Sequence, residues 1–470
     1  MFPVHIYFIL LVIFVWTTAS AGEHMKGPLL LVVGMDSFRW DFLDRAETPN
    51  FDYLVENGVR AEHLVNVFPT KRAPNWYTIV TGLYPESHGI VNNHVYDPKI
   101  DPDEPVLAIV NRIEDPALWG NAEPIWITNQ RQGGVSGVLN FPAAMTVAYD
   151  GMVANFTTNK YLNDTKNEER VDMIVELFAR GAVNFGMIYY SDVDRACHKY
   201  GPESPKVVGV VEEMDDIVGY LVKKLKESNL YDVMNIMFVA DHGQRNVYPK
   251  QTVFLNEYVD PSLYFGFQDS PVYSIFPHNV SQTQYIVNNL MRANNLTVYT
   301  KDTIPEKYHY RNNDRIPPIL LMADRGWNVA QSNSEEPYWK KTIGEHGYGN
   351  DDPKMWPFFV ARGPAFKKGH TNAEAFDTVD LYSIMCHIMK LEPAPHNGSL
   401  ENVKHVLADY KTPKQPSVLR GFLAVFIIVV VIQTCILLAT CSKLHRYKVQ
   451  VTKLKSSAVE EEGLLDSPEL

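Results

Sequence analysis

The chain has 470 residues and a formal net charge of −12, with 43 basic side chains against 55 acidic ones. Hydrophobic residues make up 46% and charged residues 21%, a globular composition that excludes a disordered or collagen-like chain. The acidic balance without basic blocks argues against a scaffold for nucleic acids. Four cysteines, two of them in a C-terminal hydrophobic run, exclude a disulfide-stapled scaffold.

The N-terminus carries the pattern of a secretory leader. Residues 6–16 form an apolar run, which is followed by small residues up to Ala21. The run is too short to span a bilayer, and its length and small-residue end are typical of a cleaved signal peptide. We therefore predict a signal peptide over residues 1–21.

Between residues 22 and 408, short apolar runs alternate with segments of helical period. Continuous apolar runs predict strands covered on both faces, and a 3.6-residue period predicts amphipathic helices. In chain order, the predicted elements are a strand at 29–33, a helix at 48–59, a helix at 171–178, a strand at 185–190, a helix at 207–225 and a strand at 235–240. This alternation predicts an α/β fold with a mostly parallel or mixed central sheet between helices, in one large ectodomain over residues 22–408.

The C-terminal region has the pattern of a membrane anchor. Residues 421–441 carry no charged side chain and are long enough to cross the hydrocarbon core as a helix, and basic residues follow them. We predict a juxtamembrane linker over 409–420, a transmembrane helix over 421–441 and a cytoplasmic tail over 442–470. We therefore expect a single-pass type I protein of the cell membrane with an extracellular N-terminal domain.

Two weaker signals agree with this topology. The tail has three glutamates before Leu464 and Leu465, which resembles a dileucine signal for endosomal sorting, although a solvated tail with two leucines is nearly as good an explanation. Sequons for N-glycosylation occur only between the two hydrophobic segments. The five candidate acceptors are Asn155, Asn163, Asn279, Asn295 and Asn397.

Metal-ligand residue types follow three of the strand-like runs. The residues concerned are Asp36 after the first run, Asp194 and His198 after the second, and Asp241 and His242 after the third; His346 lies in a later glycine-framed loop. Ligands gather at the carboxyl ends of strands in such sheets. Three Asp and three His supply enough ligands for two zinc ions, and paired metals are a known device for phosphoryl transfer.

The same residues lie in stretches that resemble the ectonucleotide pyrophosphatase/phosphodiesterase family of the alkaline phosphatase superfamily. The resemblance is greatest to the short type I membrane members that have only the catalytic domain. The matching stretches occur in family order, at residues 35–40, 66–75, 81–91, 194–202, 241–243, 346–348 and 363–366. The resemblance implies one zinc held by Asp194, His198 and His346 and another held by Asp36, Asp241 and His242. It also implies that Asn93 helps to hold a phosphoryl oxygen.

The nucleophile position departs from the family. The family has Thr-Lys-Thr here, and its second threonine attacks phosphorus; the ungapped match puts Arg72 at that position. A guanidinium remains protonated and cannot be a nucleophile. Thr70 is the nearest hydroxyl, but it lies two residues away, about 6–7 Å in an extended chain. Ser37 and Cys197 also replace family glycines.

Arg72 leaves two physical arrangements open. In one, Arg72 and both zinc ions bind an anion such as phosphate or a nucleotide without turning it over. In the other, which we slightly favour, the Arg72 side chain displaces the zinc at Asp36, Asp241 and His242 and pairs with those carboxylates, because unpaired buried cations are unfavourable.

The sequence allows three alternative functions. The first is a cell-surface phosphodiesterase-like protein whose phosphodiester hydrolysis is impaired or lost, and which binds a nucleotide, a phosphate-containing ligand or an unknown protein partner. The second is an active zinc-dependent ecto-phosphodiesterase that uses metal-bound hydroxide or Thr70. A purely adhesive glycoprotein is a third possibility without a positive feature in the sequence. The sequence does not determine whether Cys197 and Cys386 form a disulfide.

Overall fold

The computed structural model describes residues 27–103, 106–109, 116–119, 122–141, 149–158, 165–333, 343–410 and 418–464. The predicted signal peptide, Asn163 and Leu465 lie outside the described residues. The described residues up to Tyr410 cluster into one compact unit, and the described residues 418–464 belong to a second unit.

The described residues form α-helices along the whole chain. They are α1 (Pro49–Glu56), α2 (Arg72–Thr81), α3 (Pro85–His88), α4 (Pro116–Trp119), α5 (Ile125–Arg131), α6 (Asn167–Ala179), α7 (Asp192–Tyr200), α8 (Pro205–Glu227), α9 (Thr283–Leu290), α10 (Leu381–Met389), α11 (Leu400–Val403) and α12 (Val418–Leu464). The predicted helix at 48–59 ends earlier than expected, at Glu56. Val59 instead pairs with Ala361 in the sheet, so tertiary pairing overrides the local helical period.

A large sheet forms the centre of the first unit. Its strands are β1 (Leu29–Met35), β2 (Gly58–Ala61), β6 (Ser136–Leu139), β7 (Phe156–Thr157), β8 (Phe185–Tyr190), β9 (Met234–Val239), β18 (Phe359–Arg362) and β19 (His370–Ala373). Their order across the sheet is β19–β2–β18–β9–β1–β8–β6–β7. β1 is parallel to both of its neighbours, β8 and β9, whereas β18 is antiparallel to β9 and β2. The predicted α/β class with a mostly parallel, mixed sheet is confirmed.

The other strands of the described residues form smaller sheets. The strands are β3 (Leu64–Val65), β4 (His94–Tyr96), β5 (Val106–Ala108), β10 (Arg245–Asn246), β11 (Thr252–Phe254), β12 (Tyr264–Asp269), β13 (Val272–Pro277), β14 (Leu296–Thr300), β15 (Ile319–Ala323), β16 (Asn328–Ala330), β17 (Gly344–Glu345) and β20 (Phe376–Asp377). β12, β13, β15 and β14 form an antiparallel sheet in that order, and the strand pairs are β3–β20, β4–β5, β10–β17 and β11–β16.

Helices cover both faces of the central sheet. Successive side chains of a strand point to opposite faces, and β1 is apolar on both. Leu30 and Val32 belong to a core cluster with residues of α2, α5 and α10. Leu31 and Val33 belong to a second cluster with residues of α1, α6 and α8. This three-layer arrangement explains why the strand reads as a continuous apolar run.

The helix α12 makes up the described part of the second unit. It contains a stretch, Phe426–Ser456, that is long and apolar enough to cross a membrane by length and composition. The predicted transmembrane segment at 421–441 overlaps this stretch.

Three of the predicted sequons lie on the surface of the first unit. Asn155, Asn279 and Asn397 are exposed, and Asn295 is partly buried. Their surface positions are compatible with glycan attachment, which stays a prediction.

Candidate functional site

Three adjacent parallel strands end at the same edge of the sheet. β1 is paired along its length with β8 and β9, so that Met35 lies opposite Tyr190 and Gly34 lies opposite Val239. Asp36 therefore follows β1 at the sheet edge where β8 and β9 also end. The sheet register alone brings the segments of Asp36, Asp194 and Asp241 to one place.

The helix α7 presents two of the predicted ligands on one face. Asp194 and His198 are four residues apart, which places them one turn above each other. The first turn is acidic, as the positive end of the helix dipole favours. The helix ends at Tyr200, and the C-cap residue Gly201 has a φ of 81°, which is accessible to glycine at little strain.

The six predicted metal ligands form two groups in the structure. In each group, one potential ligand atom from each residue lies within 4.8 Å of the other two. The groups are Asp194, His198 and His346, and Asp36, Asp241 and His242. All of these residues are buried except His198, which is partly exposed. Asp and His at such distances suit a transition-metal ion such as zinc.

Each histidine of the two groups has one ring nitrogen at a backbone carbonyl. The Nδ1–O distances are 2.9 Å from His198 to Gly344, 3.1 Å from His242 to Gly243 and 2.9 Å from His346 to Thr70. A carbonyl can only accept, so Nδ1 carries a proton in all three rings. Such bonds fix the ring orientation and leave Nε2 to face a metal ion.

Three potential metal-ligand atoms converge in the group of Asp36, Asp241 and His242. Nε2 of His242 lies 3.2 Å from Oδ2 of Asp241 and 3.7 Å from Oδ1 of Asp36. These three atoms are buried and have no hydrogen-bond partner among the described residues. Because all three offer lone pairs, a divalent cation would satisfy them together, and the residues present fit such an ion.

Burial is the largest cause of the pKa shifts of Asp36, Asp241 and His242. Burial and the Asp36 charge raise the pKa of Asp241 well above its usual range. Burial also raises the pKa of Asp36, to about 6, although the charge of Arg72 opposes this. Burial lowers the pKa of His242 to about 3, so its ring is neutral and able to act as a ligand.

The Asp194 carboxylate is in a different state, because protein donors occupy it. Its Oδ1 accepts hydrogen bonds from Ser37 Oγ at 2.9 Å and from Gln244 Nε2 at 2.7 Å, and His198 Nε2 lies 3.3 Å away. Burial would raise the pKa of Asp194, but the charges of His198 and Arg72 hold it well below its usual range. Burial would lower the pKa of His198, but Asp194 raises it to about 9.

Arg72 bridges the two groups. Its Nε donates to Oδ2 of Asp36 at 2.6 Å, and its Nη2 donates to Oδ2 of Asp194 at 2.5 Å. The side chain remains 31% exposed. Burial would lower the pKa of Arg72, but these charges raise it, so the guanidinium is always charged. Arg72 is the first residue of α2, and this position aims the side chain at both strand ends.

The arrangement that we slightly favoured for Arg72 needs correction. Arg72 pairs with Asp36 as expected, but its second partner is Asp194 and not Asp241. Asp241 Oδ1 instead accepts from the backbone N–H groups of Ser37 and His242. A planar guanidinium spans two carboxylates that lie on either side of it, and those are Asp36 and Asp194.

The two other predicted phosphate-site residues have different surroundings. The hydroxyl of Thr70 is fully buried, donates to the carbonyl of Tyr348 at 2.9 Å and accepts from the N–H of Gly347 at 2.9 Å. These bonds do not favour Thr70 as a nucleophile. Asn93 is partly exposed, and its Oδ1 accepts from the N–H of Ala73 in the first turn of α2 at 3.0 Å.

Sequence reasoning missed two residues of this site and undervalued a third. Tyr189 donates its hydroxyl to Asp36 Oδ2, and Gln244 donates to Asp194. Ser37 was noted only as a replaced glycine. Gln244 follows Asp241-His242-Gly243 directly, and that neighbourhood was an available signal; Tyr189 lay hidden in an apolar strand.

Cys197 and Cys386 do not pair. Both are buried free thiols, and they belong to the two core clusters on opposite faces of the central sheet.

Comparison with known proteins gives the family. The model of type I phosphodiesterase/nucleotide pyrophosphatase matches residues 30–349. The chain is 38% identical over 402 residues to human ectonucleotide pyrophosphatase/phosphodiesterase family member 5, covering 85% of this chain and 82% of that protein. It is 36% identical over 435 residues to bis(5'-adenosyl)-triphosphatase of Xenopus laevis, covering 91% of this chain and 92% of that protein.

A solved structure gives the same result. An inactive threonine-to-alanine variant of murine ectonucleotide pyrophosphatase/phosphodiesterase 5, in complex with AMP, superposes with a TM-score of 0.76 at 38% identity, covering 81% of this chain and 100% of that one. The α/β sheet and its strand-end site thus define a phosphodiesterase-like fold of the alkaline phosphatase superfamily. The chain belongs to the ectonucleotide pyrophosphatase/phosphodiesterase family.

Proposed function

We propose that the protein is a cell-surface member of this family that binds zinc and the phosphate group of a nucleotide, but whose phosphodiester hydrolysis is impaired or lost. The observation that carries this proposal is the double ion pair of Arg72 with Asp36 and Asp194. In the family match, Arg72 stands where the attacking threonine is expected. The inactive threonine variant of the murine relative supports the need for such a side chain.

Arg72 removes two requirements of the reaction at once. It offers no lone pair for attack, because its guanidinium stays protonated. It also engages one carboxylate oxygen from each group of metal ligands, Asp36 Oδ2 and Asp194 Oδ2. A nucleophile must lie close to phosphorus and in line with the leaving group, and a bound guanidinium fills the space near both carboxylates.

The site keeps features that favour an anionic ligand. The first turn of α2 carries Arg72, whose side chain is 31% exposed. A guanidinium donates strong, charge-assisted hydrogen bonds to phosphate oxygens. Zinc, when bound by the Asp and His residues, would polarise a phosphoryl oxygen. The AMP complex of the murine relative supports a nucleotide as the ligand.

A second candidate is a working phosphodiesterase in which a water molecule replaces the threonine. The converging, unpartnered atoms of Asp36, Asp241 and His242 favour it, because they preserve a complete set of ligands for one ion. Thr70 contributes little to this alternative because its hydroxyl is engaged by backbone groups.

The predicted location is the cell membrane, with the first unit outside the cell. The apolar stretch in α12 supports an anchor, and the sequons all precede it. Sorting through Leu464 and Leu465 stays a prediction from the sequence.

One experiment separates the two candidates. The full-length protein in detergent, loaded with zinc, is titrated with AMP by calorimetry and then incubated with a chromogenic nucleotide phosphodiester. We expect AMP to bind and the ester to be hydrolysed no faster than by the Asp241→Asn variant. Hydrolysis that is lost in Asp241→Asn would establish the second candidate and contradict the first. Failure of AMP to bind would contradict the proposed ligand.

A further inference from the structure

The two groups of metal ligands are not equivalent in this chain. In the group of Asp36, Asp241 and His242, each residue has a buried potential ligand atom without a hydrogen-bond partner among the described residues. Such atoms are unfavourable in a protein interior unless an ion or hydrogen bond satisfies them. A single cation bound at this group would therefore satisfy three buried atoms together.

The Asp194 carboxylate has no such requirement. Its Oδ1 accepts from Ser37 and Gln244, and its Oδ2 accepts from Arg72. A metal bound at Asp194 would have to displace the guanidinium, whose hydrogen bonds to carboxylates are among the strongest in proteins. His198 and His346 alone would leave the ion with two protein ligands, fewer than the three of a typical zinc site.

Ser37 strengthens this difference. It adopts a φ of 61°, which is unusual for a residue with a side chain. Its hydroxyl donates to Asp194 and accepts from Gln244 Nε2 at 2.9 Å, and His242 Nδ1 lies 3.0 Å away. The serine thus supplies Asp194 with a donor that a glycine could not, in a conformation that favours glycine.

The charges point to one ion and not two. Three carboxylates, Asp36, Asp194 and Asp241, are buried together with the charged Arg72. One divalent ion and the guanidinium already match the three carboxylates before the charge of His198 is counted, whereas a second divalent ion would add two more uncompensated positive charges. Unbalanced charge in a desolvated site is costly.

We infer that Arg72 takes the place of one metal ion, so that the protein holds a single divalent cation at Asp36, Asp241 and His242 while the guanidinium occupies the Asp194 side. This inference rests on the proposed function, since it assumes that the site binds metal. It goes further by giving the number of ions, their location and the residue that excludes the second one.

Metal counting tests the inference without an activity assay. The full-length protein is stripped with a chelator, equilibrated with excess zinc and freed of unbound ions by gel filtration, and zinc is then measured by atomic emission. We expect about one zinc per natural chain and about two per Arg72→Thr chain, because the variant frees Asp194 to act as a third ligand.

A matched pair of variants locates the retained ion. Asp241→Asn should lose the zinc of the natural protein, whereas His346→Gln should keep it. In the Arg72→Thr background, His346→Gln should remove one of the two ions. Thermal unfolding of each variant checks that it is folded before its metal is counted.

Several results would overturn the inference. They are two ions or none in the natural protein, no additional ion in Arg72→Thr, or loss of the ion in His346→Gln but not in Asp241→Asn. Two ions without hydrolysis would refute this inference and leave the proposed function standing. One ion with hydrolysis would refute the proposed function and leave this inference standing.

Discussion

Two side chains, Arg72 and Ser37, connect groups that follow different strands of the sheet. Arg72 joins Asp36 to Asp194, and the hydroxyl of Ser37 contacts Asp194 and His242. Both replace residues that the family resemblance leads one to expect. The ligand residues could be predicted because their spacing is a property of the sequence. The second partner of Arg72 could not, because the direction of a guanidinium depends on where α2 begins relative to two strand ends.

A residue outside the site allows a prediction of pH dependence. His88 is fully buried, its Nδ1 accepts from the N–H of Ile90 at 3.1 Å, and its Nε2 contacts the hydroxyl of Thr78 at 3.1 Å. Burial lowers its pKa to about 3. Below pH 6.5 the unfolded chain binds a proton at this ring that the native chain does not. Stability should therefore fall as the pH drops, by about 1.4 kcal/mol per pH unit from this group.

The measurement compares the unfolding free energies of the natural protein and His88→Gln in urea at pH 7.5 and pH 5.0. The natural protein should lose about 2 kcal/mol more than the variant over this interval. Replacement of the exposed His278 by Gln, which removes one histidine at another position, serves as the control. Equal pH dependence in the natural protein and His88→Gln would refute the assignment.

At the scale of elements, the site depends on how α2 packs over β1. Gly34 lies in β1, and a Cβ built on it would come within 2.8 Å of the Trp76 ring in α2. The close approach of helix and strand positions Arg72, the first residue of the helix, near Asp36. The sequence predicted β1 from its apolar run, but it contained no signal for this contact between residues 42 positions apart in the chain.

Gly34→Ala should therefore destabilise the protein by about 1–3 kcal/mol, because the added methyl group overlaps the indole ring. The free energy of unfolding in urea is the measurement. Gly209→Ala is the matched control: nothing lies within 4 Å of a Cβ at Gly209 in α8, and alanine should stabilise that helix by about 0.5–1 kcal/mol.

A double variant tests the specific contact. Combining Gly34→Ala with Trp76→Leu should destabilise the protein by less than the sum of the single changes, since the smaller side chain makes room for the methyl group. Additive effects, or equal effects of the two glycine substitutions, would contradict the packing argument.

At the scale of the whole molecule, the fold class could be predicted more fully than the topology. Alternating strands and helices indicate an α/β protein, and the family motifs occur along most of the first unit. The antiparallel strand β18 and the separate sheet of β12, β13, β15 and β14 were not predicted. Pairing between strands far apart in sequence has no local signature, as the early end of α1 before β2 also shows.

If Arg72 disables the site, a threonine at this position should restore catalysis. The natural protein, Arg72→Thr and Asp241→Asn are assayed with zinc on a chromogenic nucleotide phosphodiester. We expect the natural protein to stay at the level of Asp241→Asn, whereas Arg72→Thr gains at least about 100-fold in kcat/KM. A natural protein that already hydrolyses the ester, with no gain in Arg72→Thr, would show that another group attacks and that Arg72 does not disable the site.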